Sequence, residues 1–133
     1  MTRRADNPGS ERGQTMVEFA LVAPILLILL FAAIQFGILY NNYVTLTDAV
    51  RTGARKAAVS RSQGNPAAVT EAQVRASASD LKQSDLLVTV QAPAGWSPGG
   101  DVTVEATYPY SVNLLGVHVK SGRLSSRTTE RLE

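Results

Sequence analysis

Gly13-Gln14-Thr15-Met16-Val17-Glu18-Phe19 opens onto an apolar run that lasts to about Tyr40. From Phe19 to Tyr40 there is no charged residue, and Gln35 is the one strongly polar side chain before the run ends. At a helical rise of about 1.5 Å per residue, this stretch is long enough to cross a hydrocarbon core of roughly 30 Å. Glu18 stands at its edge, where a carboxylate is either solvated at the interface or matched by a cation. The fold is therefore organised around an N-terminal membrane-length helix, and whatever follows has to hang from it.

The chain has 133 residues, no Cys, one His, one Trp and a formal charge of +2. Beyond the apolar run roughly 90 residues remain, enough for one small domain with a modest core. No dense Lys/Arg block with interleaved aromatics is present, which argues against nucleic-acid binding. Without Cys there are no disulfides and no thiolate metal sites.

A cleaved secretory signal has an apolar core of roughly 7–15 residues and small residues at the cut. This run is longer, and Phe31-Ala32-Ala33 puts Phe where a small side chain belongs. Arg3-Arg4 starts like a twin-arginine signal, but Ala5-Asp6-Asn7-Pro8 follows it. A retained single-span anchor fits better. Arg3, Arg4 and Arg12 lie before the span, against Asp6 and Glu11, while Arg51, Arg55, Lys56 and Arg61 begin well after it. Positive charge near the bilayer favours a cytoplasmic N-terminus and an extracytoplasmic C-terminal part, with the downstream cluster pulling the other way.

Residues 1–13 read as a cytoplasmic leader with a turn-like Asn7-Pro8-Gly9-Ser10. The membrane helix is expected to start near Thr15 and to include Pro24, where the missing amide bends a helix or serves packing in an assembly. Helix is expected to continue outside the bilayer to about Ser60, so that 14–62 form one element. Ala49, Gly53 and Ala57 place small side chains on one face, facing either the chain's own sheet or a neighbouring subunit. Arg51 and Arg55 read as a solvated flank.

Residues 63–133 are expected to form a small α+β domain. Gly64-Asn65-Pro66 breaks the helix and starts another, with Asn65 as N-cap and Pro66 as first helical residue. Ala67, Val74, Ala78 and Leu81 share a face, and Glu71 and Arg75 pair on the exposed side. Leu86, Val88, Val90 and Ala92 alternate as a half-buried strand. After the loop Pro93–Gly100, Val102, Val104, Ala106 and Tyr108 give a second strand pairing as a hairpin, with Pro109 at its end or at an edge. A third strand is placed within Val117 to Glu130. The fold class is α+β: a long N-terminal transmembrane helix, one short helix and an antiparallel sheet of about three strands.

Gly13, four residues, then Glu18-Phe19 and an apolar helix resembles the class III signal of type IV pilins and pseudopilins. The stretch from Gly13 to Pro24, with Ala49, Arg51, Gly53, Ala54, Arg55 and Ala57 downstream, is similar to TadE-like proteins, minor pseudopilins of the tight-adherence (Flp) pilus system. The match covers about residues 13–58. It implies that a membrane prepilin peptidase cuts between Gly13 and Gln14, removing a leader of formal charge +1. Glycine suits that site because it adopts extended geometry at little cost. Gln14, where main-type pilins often begin with an aromatic residue, departs from that pattern and puts N-methylation in question. The resemblance also implies that Glu18 meets the N-terminal ammonium of an adjacent subunit and sets register, since a paired carboxylate enters an apolar bundle at far lower cost than a lone one. On the residues alone, a glutamate reaching into the headgroups is the competing reading.

The implied function is assembly of a Flp-type pilus for surface adhesion and biofilm formation. The implied partners are the prepilin peptidase, other pilins or pseudopilins and inner-membrane assembly proteins, including a separate ATPase. No cofactor or metal is expected. His118 stands without Cys or a second His, and no P-loop or dinucleotide pattern accompanies Gly95 or Gly99-Gly100, so an enzyme is not expected. Asp80 and Asp85 read as solvated charges. Trp96 either folds over the sheet or offers an aromatic anchor to a partner. The competing function is an uncleaved, single-span envelope protein that displays a binding domain.

Overall fold

The computed structural model describes residues 8–114 and 116–133. Helix α1 spans Pro8–Ala58, α2 spans Pro66–Ser77, and strands β1 (Leu87–Gln91), β2 (Asp101–Leu114) and β3 (Val117–Arg131) follow. This is the expected α+β arrangement. The three strands form one antiparallel sheet in the order β1-β2-β3.

α1 begins at Pro8, not near Thr15, so Gly13 lies inside the helix. A proline opens a helix readily because its missing amide is unpaired there in any case. The remainder of the expected leader, including Arg3 and Arg4, lies outside the described residues. The helix continues through Pro24 without interruption.

Among the described residues the buried side chains of α1 all lie toward its far end. Leu46, Ala49, Val50, Ala54 and Ala57 are fully buried, and Gly53 is buried with them. These positions form a single stripe at helical spacing. The other side of the core comes from Val74 and Ala78, then Leu81 and Leu86, then Val102, Val104 and Ala106, and finally Leu132. Burying each Leu or Val contributes about 1.5–3 kcal/mol. The alanines contribute less and instead allow close approach.

The small-residue face thus meets the chain's own domain. At Gly53 an added Cβ would collide with the Cγ2 of Val74, and the Thr70 carbonyl lies 3.7 Å away. α2 can cross α1 at that point only because residue 53 has no side chain. Asn65 caps α2 as expected: its Oδ1 accepts from the Ala68 amide at 3.1 Å.

Arg75 does more than pair with Glu71. Its Nη2 and Nε both lie 2.9 Å from Glu71 Oε1, while Nη1 donates to the carbonyls of Gln83 and Leu86 at 3.1 and 3.2 Å. One guanidinium fastens α2 to the segment that leads into β1. The Arg51–Asp48 pair, at 3.9 Å and well exposed, contributes little.

β2 is longer than its apolar alternation suggests. β1 pairs with it only from Thr103 to Thr107, whereas β3 pairs along its whole length. Past Thr107 β2 is a free edge on its β1 side, and Pro109 sits there, where a strand tolerates a residue without an amide. The polar stretch Ser125–Thr129 is a strand because β2 supplies its partners. Thr103 and Thr129 face each other with hydroxyl oxygens 2.8 Å apart. Leu114 pairs with Val117, so the hairpin closes on two residues, the second being Gly116 at φ 83°. That conformation suits glycine.

The last residues close the domain. Gly99 donates to the Leu132 carbonyl and Leu132 to the Gly100 carbonyl, both at 2.8 Å, and the Glu133 amide donates to the Ala58 carbonyl at 3.1 Å. The backbone at Glu133 therefore caps the end of α1.

Candidate functional site

Among the described residues the apolar half of α1 contains no buried side chain. An 18-residue window in Gly13–Ala58 reaches a mean hydropathy of 2.7 with none of it buried. Phe19 is 68% exposed, and Leu21, Ile25, Leu29 and Phe36 are exposed with it. So bare an apolar cylinder is stable only in lipid or against other apolar helices. Its length and composition fit a single-pass membrane anchor.

Glu18 is the sole charged residue between Arg12 and Asp48. Its Oε1 accepts a hydrogen bond from Gln14 Nε2 at 3.2 Å, one helical turn toward the N-terminus. The bond between Gly13 and Gln14 thus lies one turn before the carboxylate, on the same helix. Beside Glu18, Phe19, Ala23, Leu26, Leu27 and Leu30 line an open apolar groove in which Ala23 makes the dip. Between Gln14 and Leu30 one helix therefore carries a single carboxylate, its glutamine partner and a groove of apolar side chains.

Because Gly13 is helical here, a protease can reach its peptide bond only after the first turns unwind. Glycine makes that easier, being roughly 1 kcal/mol less favourable than alanine in a helix interior. The flank Ala49, Gly53 and Ala57 is separate from this N-terminal group and already occupied by the domain. Trp96 packs against the core cluster and keeps part of its ring exposed. His118 is an exposed β3 residue paired with Asn113. Asp85 meets Lys82 Nζ at 3.3 Å, while Asp80 is solvent-exposed. Among the described residues no three His, Asp or Glu side chains are grouped so as to hold a metal ion.

Sequence reasoning did not find the Gln14–Glu18 bond, although its i,i+4 spacing is legible. It also did not find an open cleft of about 630 Å³ between α1 and the β2–β3 hairpin. Gln35, Ile38, Leu39 and Asn42 line it on one side, and Tyr108 to Val112 with Ser121 to Arg123 on the other. No local pattern in the sequence announces that contact, which joins segments far apart in the chain.

Fold and site together define a bilayer-length helix whose far end is embedded in a small extramembrane α+β domain. Residues 13–55 match the model of a protein family described as TadE-like protein. That segment is about a third of the chain and contains Gly13, Gln14, Glu18, Phe19, Pro24, Ala49 and Gly53. No curated protein and no solved structure gives a significant match.

Proposed function

We propose that this chain is a minor pseudopilin of a Flp-type pilus system. In this reading it is held in the cytoplasmic membrane with its N-terminus inside and its domain outside. The observation that carries the reading is the placement of Gly13, Glu18 and an uncovered apolar face in sequence on one helix, within the segment that matches the TadE-like family. A prepilin peptidase removes the leader between Gly13 and Gln14. The matured helix then associates laterally with other pilins or pseudopilins, and Glu18 meets a neighbour's new ammonium group.

Within a single chain the Gln14 amide already solvates Glu18 in part. On association a full positive charge takes over, which is a stronger partner for a carboxylate in an apolar bundle. Pairing fixes the axial register of neighbouring helices. The chain itself catalyses nothing in this scheme, and work for extraction from the bilayer comes from a separate ATPase. The resulting pilus serves surface adhesion and biofilm formation.

Substituting Glu18→Leu tests the association step. Expected is normal membrane insertion and normal leader removal, with loss of co-purification with other pilus subunits. Undiminished co-purification of the Glu18→Leu chain would contradict the assigned role.

A further inference from the structure

We propose that the tip of the β2–β3 hairpin dips into the leaflet on the domain's side of the membrane, giving the domain a second lipid contact beside α1. The proposal rests on α1 crossing a bilayer. Near its base the hairpin lies level with the end of α1, because Arg131 pairs with Asp101 and the Glu133 amide reaches the Ala58 carbonyl. Further along, Tyr108 to Val112 face Gln35 to Asn42 across the cleft. From Asp101 to Tyr110 the strand covers about 30 Å, and from Ala58 to Tyr40 the helix covers about 27 Å. The hairpin therefore runs alongside α1, back toward the bilayer.

Leu114 lies about 13 Å beyond Tyr110, the height of roughly nine helical residues. For a ribbon parallel to α1 the level of Phe31 is the furthest the tip can reach, and a ribbon inclined to the helix ends nearer Tyr40, just inside the apolar run. The tip's composition agrees with that height. Val112, Leu114, Val117 and Val119 cluster around the turn, and Val117 and Val119 are 67% and 60% exposed. Lys120 and Arg123 follow on β3, further from the tip, where cationic heads reach the phosphates while their stems lie in the interface.

Depth is limited by the backbone. A two-stranded ribbon has edges with unpaired amides and carbonyls, which cannot sit in the hydrocarbon centre. The tip also carries Asn113 and His118. The fit is to the headgroup–acyl boundary, with apolar groups about 5–10 Å deep. Two contacts, α1 and the hairpin, fix the domain's tilt about the helix axis and keep the cleft facing the bilayer surface.

The chain's lack of Cys permits a direct test. Single variants Val117→Cys at the tip, Leu27→Cys in α1 and Gln91→Cys at the distal end of β1 are labelled with an environment-sensitive fluorophore. Each full chain is reconstituted into phosphatidylcholine vesicles containing lipids with quenchers at shallow or deep positions. Expected is a blue-shifted emission at residue 117, quenched several-fold more strongly by the shallow probe than at residue 91, with residue 27 quenched best by the deep probe. Water-like emission at 117 alongside a quenched residue 27 would overturn the hairpin contact and leave the span intact. An unquenched residue 27 would remove the span on which the proposal rests. A blue-shifted but unquenched 117 that depends on the protein-to-lipid ratio would assign the tip to another copy of the chain and overturn the lipid contact.

Discussion

Gly53 of α1 sits directly beneath Val74 of α2, and the space a Cβ would need at residue 53 is already filled by the valine's methyl group. Val is β-branched and stiff at χ1, so it cannot easily swing aside. Gly53→Ala gains up to about 1 kcal/mol of helix propensity but overpacks the contact, at a typical cost of about 1–3 kcal/mol. The expected net result is destabilisation of the domain. Adding Val74→Ala to Gly53→Ala should recover part of the loss, giving a coupling of about 1 kcal/mol in a double-mutant cycle. Thermal unfolding of the four chains in detergent micelles measures it, and strict additivity would sink the assignment.

Arg75 should matter more than its partner Glu71. Glu71→Gln removes one half-exposed ion pair, worth about 0–1 kcal/mol. Arg75→Met also removes the donors to Gln83 and Leu86, whose carbonyls are then left to water or to nothing. Chemical denaturation should show the arginine variant to be the less stable, with hydrogen exchange accelerated between α2 and β1. Equal effects of the two substitutions would show that the backbone bonds contribute nothing.

Leu132 is buried although it is the second-last residue, and the backbone around it ties the Gly99-Gly100 loop to the sheet. Leu132→Ala is expected to cost about 2–4 kcal/mol, the range for a buried Leu whose site relaxes partly. Deleting Leu132 and Glu133 should cost more, since the bond to the Ala58 carbonyl goes as well. Denaturation midpoints of the two variants check the order.

Asn65→Ala should lower stability by about 1 kcal/mol by leaving the Ala68 amide without its cap. Asn65→Asp should largely restore it, because aspartate supplies the same acceptor. Helix content by circular dichroism, read with the unfolding midpoint, distinguishes a lost cap from a general loss of fold.

The elements legible in the sequence were those with a local signature. The apolar run announced α1, Asn65-Pro66 announced α2, and alternation announced β1 and the first half of β2. The second half of β2 and the polar β3 were harder to read because their strand character comes from pairing with each other. Ser125 to Thr129 lacks an apolar face of its own, and Pro109 signals an ending unless one knows that β1 stops at its level. Ala49, Gly53 and Ala57 declared a close approach without declaring its partner. Leu46, Val50 and Ala54 complete the same buried stripe and were within reach of the 3.6-residue period. In the candidate site the apolar helix and the glutamate at its edge could be read from the residues, while Gly13 gained a role only through the family resemblance. The cleft and the hairpin's height along α1 follow only from tertiary arrangement.

The most direct test of the account is the N-terminus and intact mass of the full chain extracted from membranes, with its prepilin peptidase present and absent. The chain is expected to start at Gln14 only when the peptidase is present, and to keep Arg3, Arg4 and Arg12 when it is not. An N-terminus that retains those arginines in both cases would contradict it, and would favour an uncleaved anchor displaying a binding domain.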